Sequence, residues 1–552
     1  METFDYVIVG AGSAGCVLAN RLSSDGKFSV CVLEAGGRDL NPFIHIPAGF
    51  MKTRVDPSVN WLYETQPHEN TGGRAIAQPR GKTLGGSSAI NGMAYNRGQR
   101  LDFDGWAQRG NRGWGYADVL PYFRRCERRI GEGDDVFRGR EGGLVVTDAQ
   151  AKHPLCEAFI DGAVSLGIAR NDDYNGHHQA GVGYTQRTIH KRLRMSAARA
   201  FLNPAKSRKN LRIITRAHAT SVLFSGLRAV GVAYTLGGRD GVAKQVHANR
   251  EVILCGGTVN SPQLLQLSGV GDPGLLGGLG IECRHALRGV GENLRDHYGV
   301  RLSAQVKNVS TMNERARGWR LGVEIAKYLS GAQSIVASNP TLVFCFWHSD
   351  ENVRNSDLQI TFTPATYSEQ GKSAWLDKFP GMTCTVWQQR PESVGYVRAQ
   401  SADPFQAPLI QPHYLSAEED CRTVVGGMKL CRRLLSTTAL APYYDEEIHP
   451  GTHIDSDDAL LESARQRGAS IYHIMGTCRM GPSSDPTTVV DDELRVHGLQ
   501  GLRVVDASIM PVMPSANLNA TAIMIGDKAS DMILGKQALE PVLLSDEHNV
   551  QR

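Results

Sequence analysis

Residues 4–22 read FDYVIVGAGSAGCVLANRL, an apolar strand followed by three glycines and the beginning of a helix. Gly10, Gly12 and Gly15 form the pattern GxGxxG. The first glycine permits a tight turn, the second lets the backbone approach a pyrophosphate, and the third lets the helix pack closely on the strand. Free N–H groups and the helix dipole favour negative charge at that helix N-terminus. The stretch therefore predicts the first unit of a parallel α/β sheet.

A second strand, SVCVLEAG, places Glu34 twenty-four residues after Gly10. A carboxylate at this position binds two ribose hydroxyls of a dinucleotide and repels a 2′-phosphate. The order of strand, glycine turn, helix, strand and acid therefore predicts dinucleotide binding and disfavours NADP. The turn by itself does not distinguish FAD from NAD.

Composition excludes several other functions. The net charge is only +4 and no long basic run occurs, so nucleic-acid binding has no support. The eleven cysteines show no CxxC pair and no zinc-type cluster with histidine, which predicts free thiols, a reducing cytoplasmic location and no metal site. Residues 507–526 carry no charge, but prolines and asparagines interrupt them, so no spanning helix is predicted. Peripheral contact with the inner membrane stays open.

Five further segments carry glycines or polar residues in ordered patterns. They are GKTLGGSSAINGMAYNRG (81–98), GTVNSPQLLQLSGVG (257–271), GVGENLRDH (289–297), HIMGTCRMG (473–481) and GLRVVDASIMP (501–511). With these motifs the sequence resembles the glucose–methanol–choline (GMC) oxidoreductases, an FAD-dependent family that oxidises alcohols. The resemblance covers about residues 4–537. It is strongest to bacterial choline dehydrogenases and aliphatic alcohol dehydrogenases.

The resemblance implies FAD as the cofactor. Some relatives attach the flavin through a histidine in the GGSS loop, and Ala89 stands there in this chain, so noncovalent binding is expected. Val222 is expected to contact the adenine through its backbone. The residues expected to bind FAD are Gly10, Gly12, Ser13, Ala14, Gly15, Glu34, Ala35, Gly86, Ser87, Asn91, Gly92, Met93, Ala94, Val222, Asp506, Ala507, Asn517 and Asn519.

His473 and Asn517 stand where the family keeps its catalytic pair. Histidine titrates near neutral pH and is suited to act as the general base for the alcohol proton. The asparagine amide would donate to the substrate oxygen, and flavin N5 would accept the hydride. Asn519 is expected to cap a helix that begins at about Ala520, with the helix dipole stabilising the reduced ring.

The substrate is less constrained than the reaction. Choline-specific relatives carry a glutamate in the segment that matches residues 334–344, and no acid occurs there in this chain. The resemblance therefore favours a neutral aliphatic or aromatic primary alcohol over choline. The residues predicted to line the substrate pocket are Val336, Pro340, Leu342, Phe344, Phe346, Phe362 and Tyr367, although apolar residues of this kind more often form core.

Other reactions remain as alternatives. The reduced flavin would pass its electrons to a quinone, or to O2 with release of H2O2 as in an alcohol oxidase. A choline dehydrogenase, a hydroxynitrile lyase and a non-catalytic flavin protein are further candidates. A fatty-acid photodecarboxylase would carry a cysteine where Gln389 precedes Arg390, and it lacks the histidine matching His473. The oligomeric state is left open.

The motifs fall into three blocks, which predicts a discontinuous α/β architecture. A Rossmann-like FAD-binding domain would comprise residues 1–155, 195–305 and 465–540. A substrate-binding domain of residues 156–194 and 306–464 would contain an antiparallel sheet with helices, formed by LQITFTPA, MTCTVWQQ and SVGYVRAQ, with Tyr396–Arg398 paired in it. Residues 541–552 are expected to be a poorly ordered tail.

Overall fold

The computed structural model describes residues 2–149, 152–368 and 376–544. Two large sheets dominate these ranges. Their strands are, in chain order, β1 (Glu2–Val9), β2 (Val30–Glu34), β3 (Gly181–Tyr184), β4 (Leu211–Thr215), β5 (Ala217–Ser225), β6 (Arg228–Leu236), β7 (Val242–Leu254), β8 (Tyr298–Val306), β9 (Val343–Trp347), β10 (Leu358–Thr363), β11 (Gly381–Gln388), β12 (Tyr444–His449), β13 (Ala469–Ser470) and β14 (Leu502–Val504). The longer helices are α1 (Ser13–Leu22), α2 (Arg100–Gln108), α3 (Tyr116–Cys126), α4 (Pro154–Ser165), α5 (Gly257–Leu267), α6 (Gly318–Ser330), α7 (Glu418–Leu435), α8 (Asp457–Arg467) and α9 (Leu518–Ile533).

The first sheet has the order β4–β2–β1–β7–β6–β5, and β14 pairs with β7. Strands β4, β2, β1, β7 and β14 pair in parallel, whereas β5 and β6 add an antiparallel extension. Every residue of β2 is buried, as expected for a parallel strand covered on both faces. A Cβ atom on Gly15 would lie 2.0 Å from the Gly10 carbonyl oxygen, so only glycine permits α1 to follow β1 so closely. The predicted Rossmann-like unit is confirmed.

Helix α9 packs directly against α1. A Cβ atom on Gly526 would lie 2.8 Å from the carbonyl oxygen of Ala14, so the two backbones approach closely. The buried carboxylate of Asp527 forms ion pairs with Arg21 and Arg125 at 2.6 and 2.5 Å. This contact holds α1 and α9 together.

The second sheet has the order β12–β8–β11–β10–β9–β3, with β13 paired to β8, and all of its pairings are antiparallel. Alternate residues of its strands, such as Leu302, Ile360 and Cys384, are buried in one core with α4 and α7. The opposite face is turned toward the first sheet. The predicted antiparallel sheet with helices is therefore confirmed.

Two details differ from the prediction. Strands β8 and β13 belong to the second sheet, so the domain boundaries predicted at 305 and 465 cut into it. Tyr396–Arg398 does not join that sheet but pairs with Leu409–Gln411, because Gly395 is held by a reciprocal pair of backbone hydrogen bonds to Leu294.

The predicted tail also differs in part. The Val542 amide donates to the Ala117 carbonyl at 3.0 Å, so residues 541–544 contact the protein, and residues 545–552 lie outside the described part. Within the described ranges, no helix is long and apolar enough to cross a membrane.

Candidate active site

A cavity of about 440 Å³ lies between the two sheets. The N-termini of α1, α5 and α9 and the loop of residues 86–94 line one side, while strands β8, β9, β10 and β11 of the second sheet line the other. Three helix N-termini directed into one cavity favour the binding of anionic groups there.

The glycine turn leaves open space at α1. The N-cap Gly12 has no side chain to satisfy the first-turn amides, and a Cβ atom on Gly12 would meet only the Cys255 carbonyl oxygen, at 3.8 Å. A Cβ atom on Gly86 would lie 2.7 Å from the Gly12 Cα, so the second loop rests directly on the turn. The Ser13 hydroxyl donates to Asn519 Oδ1 at 2.8 Å and joins this end to α9. These features fit the pyrophosphate of a dinucleotide.

Two buried carboxylates flank this end of the cavity. Glu34 accepts hydrogen bonds from the amides of Ala11 and Gly36 at 2.9 and 2.8 Å, and burial raises its pKa to about 7. Asp506 accepts from the Gly257 amide at 2.9 Å and the Ser261 hydroxyl at 2.6 Å, and burial also raises its pKa. Donors on a sugar would relieve the cost of burying these groups.

Most of the residues predicted to bind the cofactor line this one cavity. They are Gly10, Gly12, Ser13, Ala14, Glu34, Ala35, Gly86, Ser87, Asn91, Gly92, Met93, Ala94, Asp506, Ala507, Asn517 and Asn519. Gly15 is instead buried between α1 and the turn. Ala89 is fully buried in the loop and offers no nucleophile.

The prediction for Val222 is corrected. Its amide donates to the Ser268 hydroxyl at 2.8 Å, so that amide is already satisfied, and β5 reaches the cavity at residues 217–219 instead. There the His218 ring stacks on Phe405 at 4.5 Å and meets Trp61 at 5.7 Å. No sequence motif indicates His218 or Trp61, because neither belongs to a glycine motif.

The capping prediction at α9 is also corrected. The helix begins at Leu518 with Asn517 as its N-cap residue, and Asn519 lies within the first turn. The Asn517 side chain forms no capping hydrogen bond, because its amide is used in the cavity.

His473 and Asn517 meet in the cavity. Asn517 Nδ2 lies 3.0 Å from His473 Nε2, and Asn517 Oδ1 accepts from Gln359 Nε2 at 3.2 Å. Since an amide oxygen only accepts, the contact with Gln359 turns the Asn517 NH2 group toward the histidine.

A second histidine fixes the tautomer of His473. His297 Nε2 lies 2.7 Å from the Gln389 carbonyl oxygen, which only accepts, so this nitrogen carries the hydrogen. Burial lowers the pKa of His297, so its Nδ1 is a bare acceptor. The two Nδ1 atoms are 2.8 Å apart, and His473 Nδ1–H must therefore be the donor. His473 Nε2 therefore carries a lone pair, which accepts from the Asn517 NH2 group in the cavity.

The protonation state and position of His473 are both constrained. The pKa of His473 is lowered well below its usual value, mainly by burial. Electrostatic repulsion from His297 and from the positive charge of Arg80 lowers it further. The imidazole is therefore neutral at pH 7 and able to act as a base. The buried Asp296 accepts from the His473 amide at 2.8 Å and from the Ser470 hydroxyl at 2.5 Å, which fixes the backbone at His473.

The second sheet provides the other wall, and only part of the predicted pocket lies on it. Pro340, Phe344 and Tyr367 line the cavity. The predictions for the other four residues are wrong. Leu342 and Phe362 are buried in the core beyond the sheet, with Phe362 stacked on Phe159 at 4.4 Å, Phe346 packs on Tyr174, and Val336 lies outside the lining.

Residues that the sequence analysis missed fill the rest of this wall. They are Arg301, Thr341, Thr361, Thr363, Thr385, Trp387 and Tyr472. The alternation in LQITFT, with apolar residues at every second position, separates the two faces of β10. That signal was available, but it does not show which face borders the cavity.

Comparison with known proteins supports the same assignment. The GMC oxidoreductase family models match residues 4–299 and 391–526. The chain is 43% identical to an oxygen-dependent choline dehydrogenase from Escherichia coli, over 97% of this chain and 95% of that protein. It is 40% identical to an alcohol dehydrogenase [acceptor] from Pseudomonas putida, over 97% and 96% of the two chains. A solved formate oxidase from Aspergillus oryzae RIB40 is 26% identical, with a TM-score of 0.88 and coverage of 97% and 98%. The chain therefore belongs to the GMC oxidoreductase family and is an FAD-dependent oxidoreductase that acts on CH–OH donors.

Proposed function

We propose that the protein oxidises a primary alcohol without a positive charge to the aldehyde, with His473 as the general base. One observation carries this proposal: the bare Nε2 of a neutral His473 faces the Asn517 NH2 group at 3.0 Å inside the cavity that fits the cofactor. A base next to a hydrogen-bond donor is what deprotonation of a hydroxyl requires.

In the proposed reaction the hydroxyl oxygen lies within hydrogen-bonding distance of both side chains. Asn517 Nδ2 donates to the oxygen, and His473 Nε2 takes the hydroxyl proton. FAD supplies the acceptor for the hydride that leaves the carbinol carbon, so the alcohol loses one proton and one hydride. The positive charge that His473 acquires is stabilised by its hydrogen bond to His297 Nδ1.

The preference against a cation rests on the charges of the cavity. The described residues that line the substrate wall include Arg301, with Arg54 nearby on the lining, and they include no carboxylate. A quaternary ammonium group there would lose its hydration without gaining a counter-charge. The similar identities to a choline dehydrogenase and to an alcohol dehydrogenase do not decide between the two substrates.

We infer a dehydrogenase that transfers electrons to a quinone, with an oxidase that reduces O2 as the alternative. Two alternative functions are disfavoured by the site. Gln389 stands where a photodecarboxylase would carry cysteine, and its carbonyl positions His297. A non-catalytic flavin protein does not need a neutral base at His473.

The direct test is bleaching of the flavin by alcohols without oxygen and in the dark. Butanol or benzyl alcohol is expected to reduce the flavin with a higher second-order rate constant than choline. Parallel assays with a dye acceptor and for peroxide separate dehydrogenase from oxidase. Absence of bleaching by every alcohol would contradict the proposed reaction, and a higher rate constant for choline would contradict the charge argument.

The flavin is expected to be held without a covalent bond. Because Ala89 occupies the loop position at which a tether would form, acid precipitation of the yellow protein should release FAD into the supernatant. The measurement is the absorbance of supernatant and pellet. Flavin retained in the pellet after washing would show that another residue forms a tether.

A further inference from the structure

One row of residues across the second sheet faces the cavity. Arg301 of β8 is paired with Thr385 of β11, Thr385 with Thr361 of β10, and Thr361 with Phe344 of β9. All four residues line the cavity. Cross-strand partners share a face of a sheet, so these side chains form one continuous strip, which we call the arginine row.

The arginine row lies two residues along the strands from side chains that contact or border the catalytic pair. Trp387 and Gln359 are the cross-strand partners two residues along from Thr385 and Thr361. Gln359 holds Asn517, and the Trp387 ring centroid is 6.3 Å from that of His473. Two residues along a strand span about 7 Å. The arginine row is therefore adjacent to the reacting position and separated from it by a short, fixed spacing.

Positive charge is concentrated beside the arginine row. The guanidinium of Arg301 lies 5.6 Å from the Tyr367 ring centroid, and Arg54 lies 5.6 Å from that of Tyr472. Both arginines act electrostatically on Tyr367. Neither is in an ion pair with a described residue. The carboxylates among the described lining residues are Glu34 and Asp506, both held by backbone amides at the cofactor end.

We propose that Arg301, assisted by Arg54, binds a carboxylate on the substrate, so that the preferred substrate is a primary alcohol that also carries a carboxylate. The inference rests on the proposed function and names the substrate class of the same site. Arginine presents a planar fork of donors that matches a carboxylate, and the threonines of the row add hydroxyl donors. The spacing of about 7 Å between the arginine row and the pair Trp387 and Gln359 suits a ring or a short chain between the carbinol carbon and the carboxylate.

Paired substrates test this directly. The pairs are 4-(hydroxymethyl)benzoate with its methyl ester, and 6-hydroxyhexanoate with 1-hexanol. Wild type is expected to show a higher kcat/KM for the carboxylate of each pair. In Arg301→Gln the carboxylate-to-neutral ratio should fall about 10- to 100-fold, the worth of a hydrogen bond between charged groups, mainly through KM. Arg301→Lys should restore part of the ratio.

Lys307→Gln is the matched control, because Lys307 follows the same strand, pairs with Asp445 and does not line the cavity. Its ratio should equal that of wild type.

A binding measurement separates this inference from the proposed function. The anion 4-methylbenzoate, which has no hydroxyl, should perturb the flavin absorbance, with a Kd that rises about 10- to 100-fold in Arg301→Gln. An unchanged Kd, or a ratio within threefold of wild type in that variant, would overturn the inference even if alcohols are oxidised. Failure of every alcohol to bleach the flavin would instead overturn the proposed function.

Discussion

Replacement of His473 with alanine is expected to slow flavin reduction by about 10²–10⁴-fold, which corresponds to about 3–5 kcal/mol of barrier. The reason is that Nε2 of this residue has the free lone pair directed at Asn517 in the cavity. FAD content should change little, because His473 is not part of the glycine turn. The measurement is stopped-flow reduction by the best alcohol without oxygen.

The pH dependence gives a second signature of the same residue. Only the neutral imidazole accepts a proton, so the reduction rate should rise with pH through the pKa of His473 and then level off. Burial and the neighbouring His297 and Arg80 lower that pKa. The rising limb should therefore lie well below pH 6.5, the usual value. It should disappear in His473→Ala.

Two further variants are compared with His473→Ala. Asn517→Ala removes one neutral donor while the base remains, so a loss of about 10- to 100-fold is expected, with the pH limb retained. His285→Ala removes a histidine whose ring contacts the His497 carbonyl, away from the cavity, and should reduce its flavin at the wild-type rate. If His473→Ala stays within a few-fold of wild type and keeps the limb, His473 is not the base.

Substitution of Gly12 with alanine is expected to abolish tight FAD binding while leaving the fold intact. Gly12 has φ −78° and ψ −159°, which alanine adopts freely, and its Cβ would meet no protein atom closer than 3.8 Å. The added methyl group instead occupies the space through which the backbone approaches a pyrophosphate. Loss of two hydrogen bonds to a charged group, about 1.5–3 kcal/mol each, weakens binding by about 10²–10⁴-fold.

The readouts are titration of the apoprotein with FAD and its thermal unfolding without FAD. Gly277→Ala is the matched control, since a Cβ there meets no atom within 4 Å and the residue does not line the cavity. Both apoproteins should unfold at the wild-type temperature, and only Gly12→Ala should lose FAD. Wild-type affinity in Gly12→Ala would mean that the phosphates bind elsewhere in the cavity.

The cofactor half of the site could be predicted from sequence because its residues lie in compact motifs. At Gly10, Gly12 and Gly86 the requirement is on the backbone itself, where a side chain would collide with protein or ligand. Such requirements restrict the residue type strongly and leave a local pattern. The antiparallel sheet could be predicted as well, because alternation along residues 358–363 is also local.

The substrate wall could not be predicted in the same way. Phe362 and Thr361 are neighbours, and alternation places them on opposite faces without showing which face meets α4 and which meets the cavity. Phe362 was therefore predicted to line the pocket, whereas Thr361 and Arg301 line the cavity. Pairing between β8 and β11 joins residues about 80 positions apart (Arg301 and Thr385), and no local pattern reports it.

The contact between α1 and α9 bears on how the enzyme is made in the cell. The Ser13–Asn519 hydrogen bond and the close approach of Gly526 to Ala14 join segments about 500 residues apart. Translation at about 5–20 residues per second separates the appearance of these two helices by roughly half a minute to two minutes. During that interval the glycine turn is exposed without the helix that completes it. FAD should therefore be loaded only after Ile533 has left the ribosome, and co-translational capture by the first βα unit should be weak.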